Sequence, residues 1–199
     1  MGLRFCYGPP IFLWASDFGI EPKFPYEACI KNGNNNGLTD DQFRHVLLDL
    51  NPKNLIIYQA PSAEFRIANF NKKYKKLLLF KGTWITLENL IQLDFVHFHQ
   101  LEKQFTNLEI NRFLKHAMDG GAPRLVQFVV VVQDSDEDLI LEGIREKLTA
   151  IPGKEQFTRF YGHWTFEGKM SRGDECVFVK IFYIPDKERI RLIIKPFVE

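Results

Sequence analysis

The chain has 199 residues, 45% of them hydrophobic and 26% charged, and a formal net charge of +1. That is ordinary globular composition, and a chain this long buries about 70% of its unfolded surface without a disulfide or metal staple. The near-neutral balance argues against a dedicated nucleic-acid surface, which carries a strongly basic face, and no run approaches the ~20 apolar residues of a membrane span.

Residues 1–37 are rich in Pro and Gly and end in Lys31-Asn32-Gly33-Asn34-Asn35-Asn36-Gly37. Asn and Gly at that density favour turns, so this segment reads as an irregular N-terminal stretch or linker. From Leu38 the pattern is regular. Thr39 and Gln42 have capping-box spacing, and Phe43, Val46, Leu47 and Leu50 form a helical stripe that Asn51-Pro52 ends. Leu55 to Tyr58 reads as a strand, Lys72 to Lys76 as a basic turn and Leu77 to Phe80 as a strand. Thr86 to Leu93 is short and helical, and Phe95 to His99 is a strand.

Thr106 and Glu109 form another capping box, followed by an apolar stripe at Ile110, Phe113, Leu114 and Ala117. Gly120 and Gly121 suit the left-handed end of a helix, and Pro123 prevents its continuation. Leu125 to Val132 is apolar on both faces, as a covered strand is. Ser135 is a candidate cap for a helix running through Leu139 to Leu148, stopped by Pro152-Gly153. Trp164 to Phe166, Val177 to Tyr183 and Ile190 to Ile194 read as strands, with a hairpin turn at residues 185–188.

Short strands separated by helical or irregular crossovers predict an α/β fold: a leucine-rich-repeat-like short parallel sheet with crossover helices, then a small antiparallel β layer. The domain expected over residues 38–199 divides into a repeat-like part, 38–151, and a β-rich part, 152–199.

Several stretches together resemble the type 2 F-box-associated domain of nematode F-box proteins. They are the helix Leu108-Glu109-Ile110-Asn111-Arg112-Phe113-Leu114-Lys115 and the turn Ala122-Pro123-Arg124-Leu125. Asp138 to Ile144, Arg159-Phe160-Tyr161, Asn54 to Ile57 and Trp84 to Phe98 add to them. The resemblance spans roughly residues 38–196. It implies the substrate-recognition part of an SCF-type ubiquitin ligase receptor. Its partner would be an unknown target protein, with the ligase adaptor reached only if an F-box is supplied elsewhere. No F-box-like helical run stands in residues 1–37, which also fits a truncated gene product.

The residues themselves offer little chemistry. His97 and His99, two apart on a strand, share a face and have the spacing of two metal ligands. A zinc site needs a third ligand, and the sequence places none nearby. A small metal-dependent or hydrolytic enzyme using His97 and His99 is therefore the alternative to a binding module. His116, near a helix C-terminus, suits the helix dipole. A dyad of Cys176 with His163 needs a stabilised thiolate, whereas Cys176 opens an apolar strand and reads as a small buried thiol. No glycine loop has phosphate-binding spacing. We expect no catalytic residue, no metal and no cofactor, and neither a nucleic-acid nor a membrane partner. The three cysteines, Cys6, Cys29 and Cys176, lack paired spacing and predict reduced thiols in a cytoplasmic or nuclear protein.

If Leu55, Ile57, Leu77, Leu79, Val96 and Phe98 point to the core, the alternate positions share the opposite sheet face. Those are Ile56, Tyr58, Leu78, Phe80, His97 and His99. Exposed, they form a candidate binding face; covered by helices or by the C-terminal layer, they are core.

Overall fold

The computed structural model describes residues 2–4, 12–14, 27–30, 38–132, 134–172, 174–185 and 188–197. Its centre is one mixed sheet. Three short strands, β1 (Gly2–Arg4), β2 (Phe12–Trp14) and β3 (Glu27–Ile30), fall in the segment expected to be irregular. The rest of that segment lies outside the described residues. β4 (Asn54–Ile57), β5 (Lys73–Leu79), β6 (Asp94–Phe105) and β7 (Gln127–Val132) follow. β8 (Phe157–Phe160), β9 (His163–Arg172), β10 (Glu175–Ile184) and β11 (Arg189–Pro196) complete the set. The order across the sheet is β2-β1-β3-β4-β5-β6-β7-β11-β10-β9-β8. Strands β3 to β7 pair in parallel. From β7 onward every pairing is antiparallel.

The closing strands do not form a separate layer, contrary to expectation. β11 pairs directly with β7, Ile190 opposite Val130 and Leu192 opposite Phe128, so the core face continues across the junction. The order of the chain hides this, because the last strand and not the next one completes the pairing of β7.

Among the described residues four α-helices lie between the strands: α1 (Asp40–Leu48), α2 (Leu87–Gln92), α3 (Asn107–His116) and α4 (Glu137–Leu141). The first three begin with capping boxes, at Thr39/Gln42, Thr86/Asn89 and Thr106/Glu109. Each satisfies amides that the first helical turn leaves unpaired. α4 is capped by Asp136, not Ser135: the Asp136 carboxylate accepts from the amides of Asp138 and Leu139 at 3.0 and 3.1 Å. The Ser135 hydroxyl instead accepts from the Trp164 indole at 3.4 Å. α4 ends at Leu141, far short of Leu148, because Gly143 turns the chain with φ +67°.

All four helices contribute to one core, with Phe43, Val46 and Leu47 from α1, Leu87 and Leu90 from α2, Phe113 and Leu114 from α3, and Ile140 and Leu141 from α4. These pack on inward side chains such as Leu55, Ile57, Leu77, Leu79 and Phe128. Phe113 stacks on Phe128 with ring centroids 4.1 Å apart, and Phe43, Phe65 and Trp84 meet edge to face. Two layers result, helices over one sheet face.

Two strands depart from strict alternation. Lys73 to Lys76 are part of β5, not a turn, and Tyr74 between them is buried. The amides of Lys75 and Lys76 both donate to the Lys53 carbonyl, at 2.6 and 3.2 Å. That is the signature of one extra residue in the strand, a bulge. β6 follows the same course beside it: Phe95 and Phe98 are both buried, and Val96, expected in the core, is only half-buried.

Candidate functional site

The face of β4 to β7 that carries no helix among the described residues is where the six residues singled out by alternation come together. Ile56, Leu78, Phe80, His97 and His99 are half-buried, and Tyr58 is 37% exposed. The inward neighbours Leu55, Ile57, Leu77, Leu79 and Phe98 are fully buried beneath the helices. The parallel register aligns these side chains across strands, Ile56 beside Leu78 and Leu78 beside His99. Just past the ends of β4 and β5, Tyr58 and Phe80 stack with centroids 4.2 Å apart and planes 13° from parallel. Such a pair is worth about 1 kcal/mol beyond its area.

The row continues beyond the six. His99 lies beside Val129 of β7, Val129 opposite Arg191 of β11, and Arg191 opposite Phe182 of β10. The Arg191 guanidinium sits 5.7 Å from the centre of the Phe182 ring. Gln127 bridges the two halves. Its amide nitrogen donates to His99 Nε2 at 3.1 Å and its oxygen accepts from Arg191 Nε at 2.6 Å. The reverse orientation would set the amide nitrogen against a guanidinium that can only donate. Nε2 of His99 is thus an acceptor, and the ring is neutral with its proton on Nδ1.

Electrostatics support that assignment. Burial lowers the pKa of His99 below the ordinary imidazole value; the contact with Gln127 works against it, and the charges of Lys76, Arg191 and His97 add to the lowering, which prevails. For His97 burial again acts first, followed by Lys76 and Lys75. Both imidazoles are therefore uncharged at neutral pH.

Among the described residues no group of three His, Cys, Asp or Glu side chains converges on a metal position. His97 and His99 face the same way but gain no third ligand. Cys176 is exposed at the start of β10, not buried as expected, because its alternate neighbour Val177 takes the core position. It is paired with Ser171, eight residues along β9 from His163. At ~3.4 Å per residue that is about 27 Å, which rules out the dyad. Lys76, Gln127 and Arg191 were missed by sequence reasoning. Alternation around Ile190 and Leu192 places Arg191 outward, but only the pairing of β7 with β11 brings it beside His99.

The polar residues of the recognisable motifs have structural work. Asn111, in the middle of α3, is buried and its side-chain nitrogen donates to the carbonyls of Ile140 and Glu142, both at 2.9 Å. Arg124 donates to the Asp94 carboxylate at 2.7 Å, to the Asp94 carbonyl at 2.9 Å and to the Tyr74 carbonyl at 3.2 Å. It ties the approach to β7 to β5 and β6. No helix among the described residues is long and apolar enough to cross a membrane.

No curated protein and no solved structure matches the chain. Residues 64–130, about a third of the chain, match the family model for F-box associated domains. That stretch holds Leu78, Phe80, His97 and His99 together with the structural Asn111 and Arg124.

Proposed function

We propose that the chain is a protein-interaction module, the substrate-recognition part of an SCF-type ubiquitin ligase receptor, and that it performs no chemistry itself. The observation that carries this reading is the asymmetry of the sheet. One face is sealed by four helices, and the other presents Ile56, Tyr58, Leu78 and Phe80 with part of their apolar surface in solvent. Aromatic side chains held on a rigid sheet supply contact area at small entropic cost, which suits a binding surface. The match to F-box associated domains supports the same reading. The target is a protein captured on this face, and the ligase adaptor is reached through an F-box supplied elsewhere. Residues 38–199 act as one unit, with 38–151 laid out like leucine-rich repeats and 152–199 extending the sheet. The site of action is the cytoplasm or nucleus.

The test is a double substitution. Tyr58→Ala with Phe80→Ala removes the stacked pair, and the circular dichroism spectrum should stay that of the folded protein while captured partners fall at least tenfold in quantitative pull-down. An unfolded variant would mean that the rings belong to the core, and undiminished capture would move the recognition surface elsewhere.

A further inference from the structure

We infer that the partner segment seated on the open face is acidic as well as apolar, an inference that rests on that face being the recognition surface. Among the described outward charges between β4 and β11, those without an ion-pair partner are of one sign. Lys76, Arg189 and Arg191 stand there with the two imidazoles, and neither Lys76 nor Arg191 pairs with a carboxylate among the described residues. The nearby carboxylates are already taken. Asp94, at the start of β6, is bound by Arg124 at 2.7 Å and faces Lys73 at 3.9 Å. Glu102, toward its far end, is bound by Lys81 at 2.8 Å. Glu167 on β9 lies between Lys180 at 3.3 Å and Lys154 at 4.0 Å. An arriving carboxylate therefore meets cations without displacing a resident one.

The register sets the size of the segment. The row Ile56, Leu78, His99, Val129, Arg191 crosses five adjacent strands. At ~4.8 Å per strand this is about 19 Å, the reach of about six extended residues. The apolar end of that segment lies over Ile56 and Leu78 and the acidic end over Arg191. Residues 1–37 fit poorly as the occupant, since Arg4, Lys23 and Lys31 are balanced by Asp17, Glu21 and Glu27. Nucleic acid fits poorly as well. Tyr58 and Phe80 each cover a ring face of the other, which base stacking would use.

The experiment uses the full chain and four probes: labelled twelve-residue peptides alternating Phe or Leu with Glu, with Lys or with Ser, and a twelve-nucleotide uridine RNA. Fluorescence anisotropy gives affinity, and imidazole NMR signals of His97 and His99 locate binding. The acidic peptide should bind at least tenfold tighter than the Ser peptide, shift both imidazoles and weaken with added salt. Lys76→Glu with Arg191→Glu should remove that advantage, so that the acidic peptide binds no tighter than the Ser peptide, with Lys76→Gln and Arg191→Gln as the milder pair if charge reversal unfolds the protein. Equal affinity for all three peptides at the imidazoles would overturn the acidic preference and leave the recognition face standing. Tighter binding of the RNA would overturn the protein partner. Imidazole signals unmoved by every probe would overturn both.

Discussion

Asn111 and Arg124 are the polar residues on which the middle of the fold hangs. Each spends its donors on backbone carbonyls distant in sequence, and the bond from Asn111 to the Ile140 carbonyl is buried. Asn111→Leu keeps the volume and loses both bonds. We expect it to destabilise the protein by about 2–4 kcal/mol, seen as a lower urea midpoint with the slope unchanged. The imidazoles make a separate prediction. His97 and His99 titrate near 6.5 when unfolded and lower when folded. Below 6.5 the unfolded chain therefore binds more protons, and folding stability is lost as pH falls through that window and is fully present above it. Thermal melts at pH 7.5 and 5.5 should differ less for His97→Asn with His99→Asn than for the wild type. At this scale the sequence was half legible. Alternation put both imidazoles on one outward face, because strand period is local information. The partners of Asn111 and Arg124, and the bridge from His99 through Gln127 to Arg191, come from contacts that span dozens of residues, which no local pattern carries.

Helix α3 illustrates how one element is closed. Its C-terminal end widens over Ala117 to Gly121, and Gly120 takes φ +89° as expected of a terminating glycine. Gly121 is glycine for a different reason: a Cβ there would collide with the imidazole of His116. His116, read as a dipole partner, is also a packing surface. Gly121→Ala should cost about 1–3 kcal/mol in thermal or urea unfolding, and His116→Ala in the same chain should recover most of it. Gly120→Ala, with nothing within 4 Å of its Cβ, should cost only the backbone strain of about 1–2 kcal/mol. The helix starts were readable because capping boxes are four-residue signals. The paired bulges of β5 and β6 were not, since they arise from two strands shifting together against the helices, and that shift is why Val96 left the core.

Across the whole molecule, β7 is where two differently built halves join. It is the last of the parallel run from β3 to β7, and its antiparallel pairing with β11 makes a single sheet of both halves. The alternation of α and β pointed to an α/β chain, and the change of pattern after residue 152 pointed to antiparallel strands. Their fusion into one sheet depends on a contact between residues about sixty positions apart. Among the described residues the fusion leaves one broad surface without a helix, the surface proposed here to capture the partner. The most direct test is a photo-crosslinking amino acid placed at Leu78 on the open face, and separately at Leu108, which is 59% exposed on α3. The account predicts a discrete adduct with one protein from position 78, lost in Tyr58→Ala with Phe80→Ala, and none from position 108. An adduct from position 108 alone would contradict it.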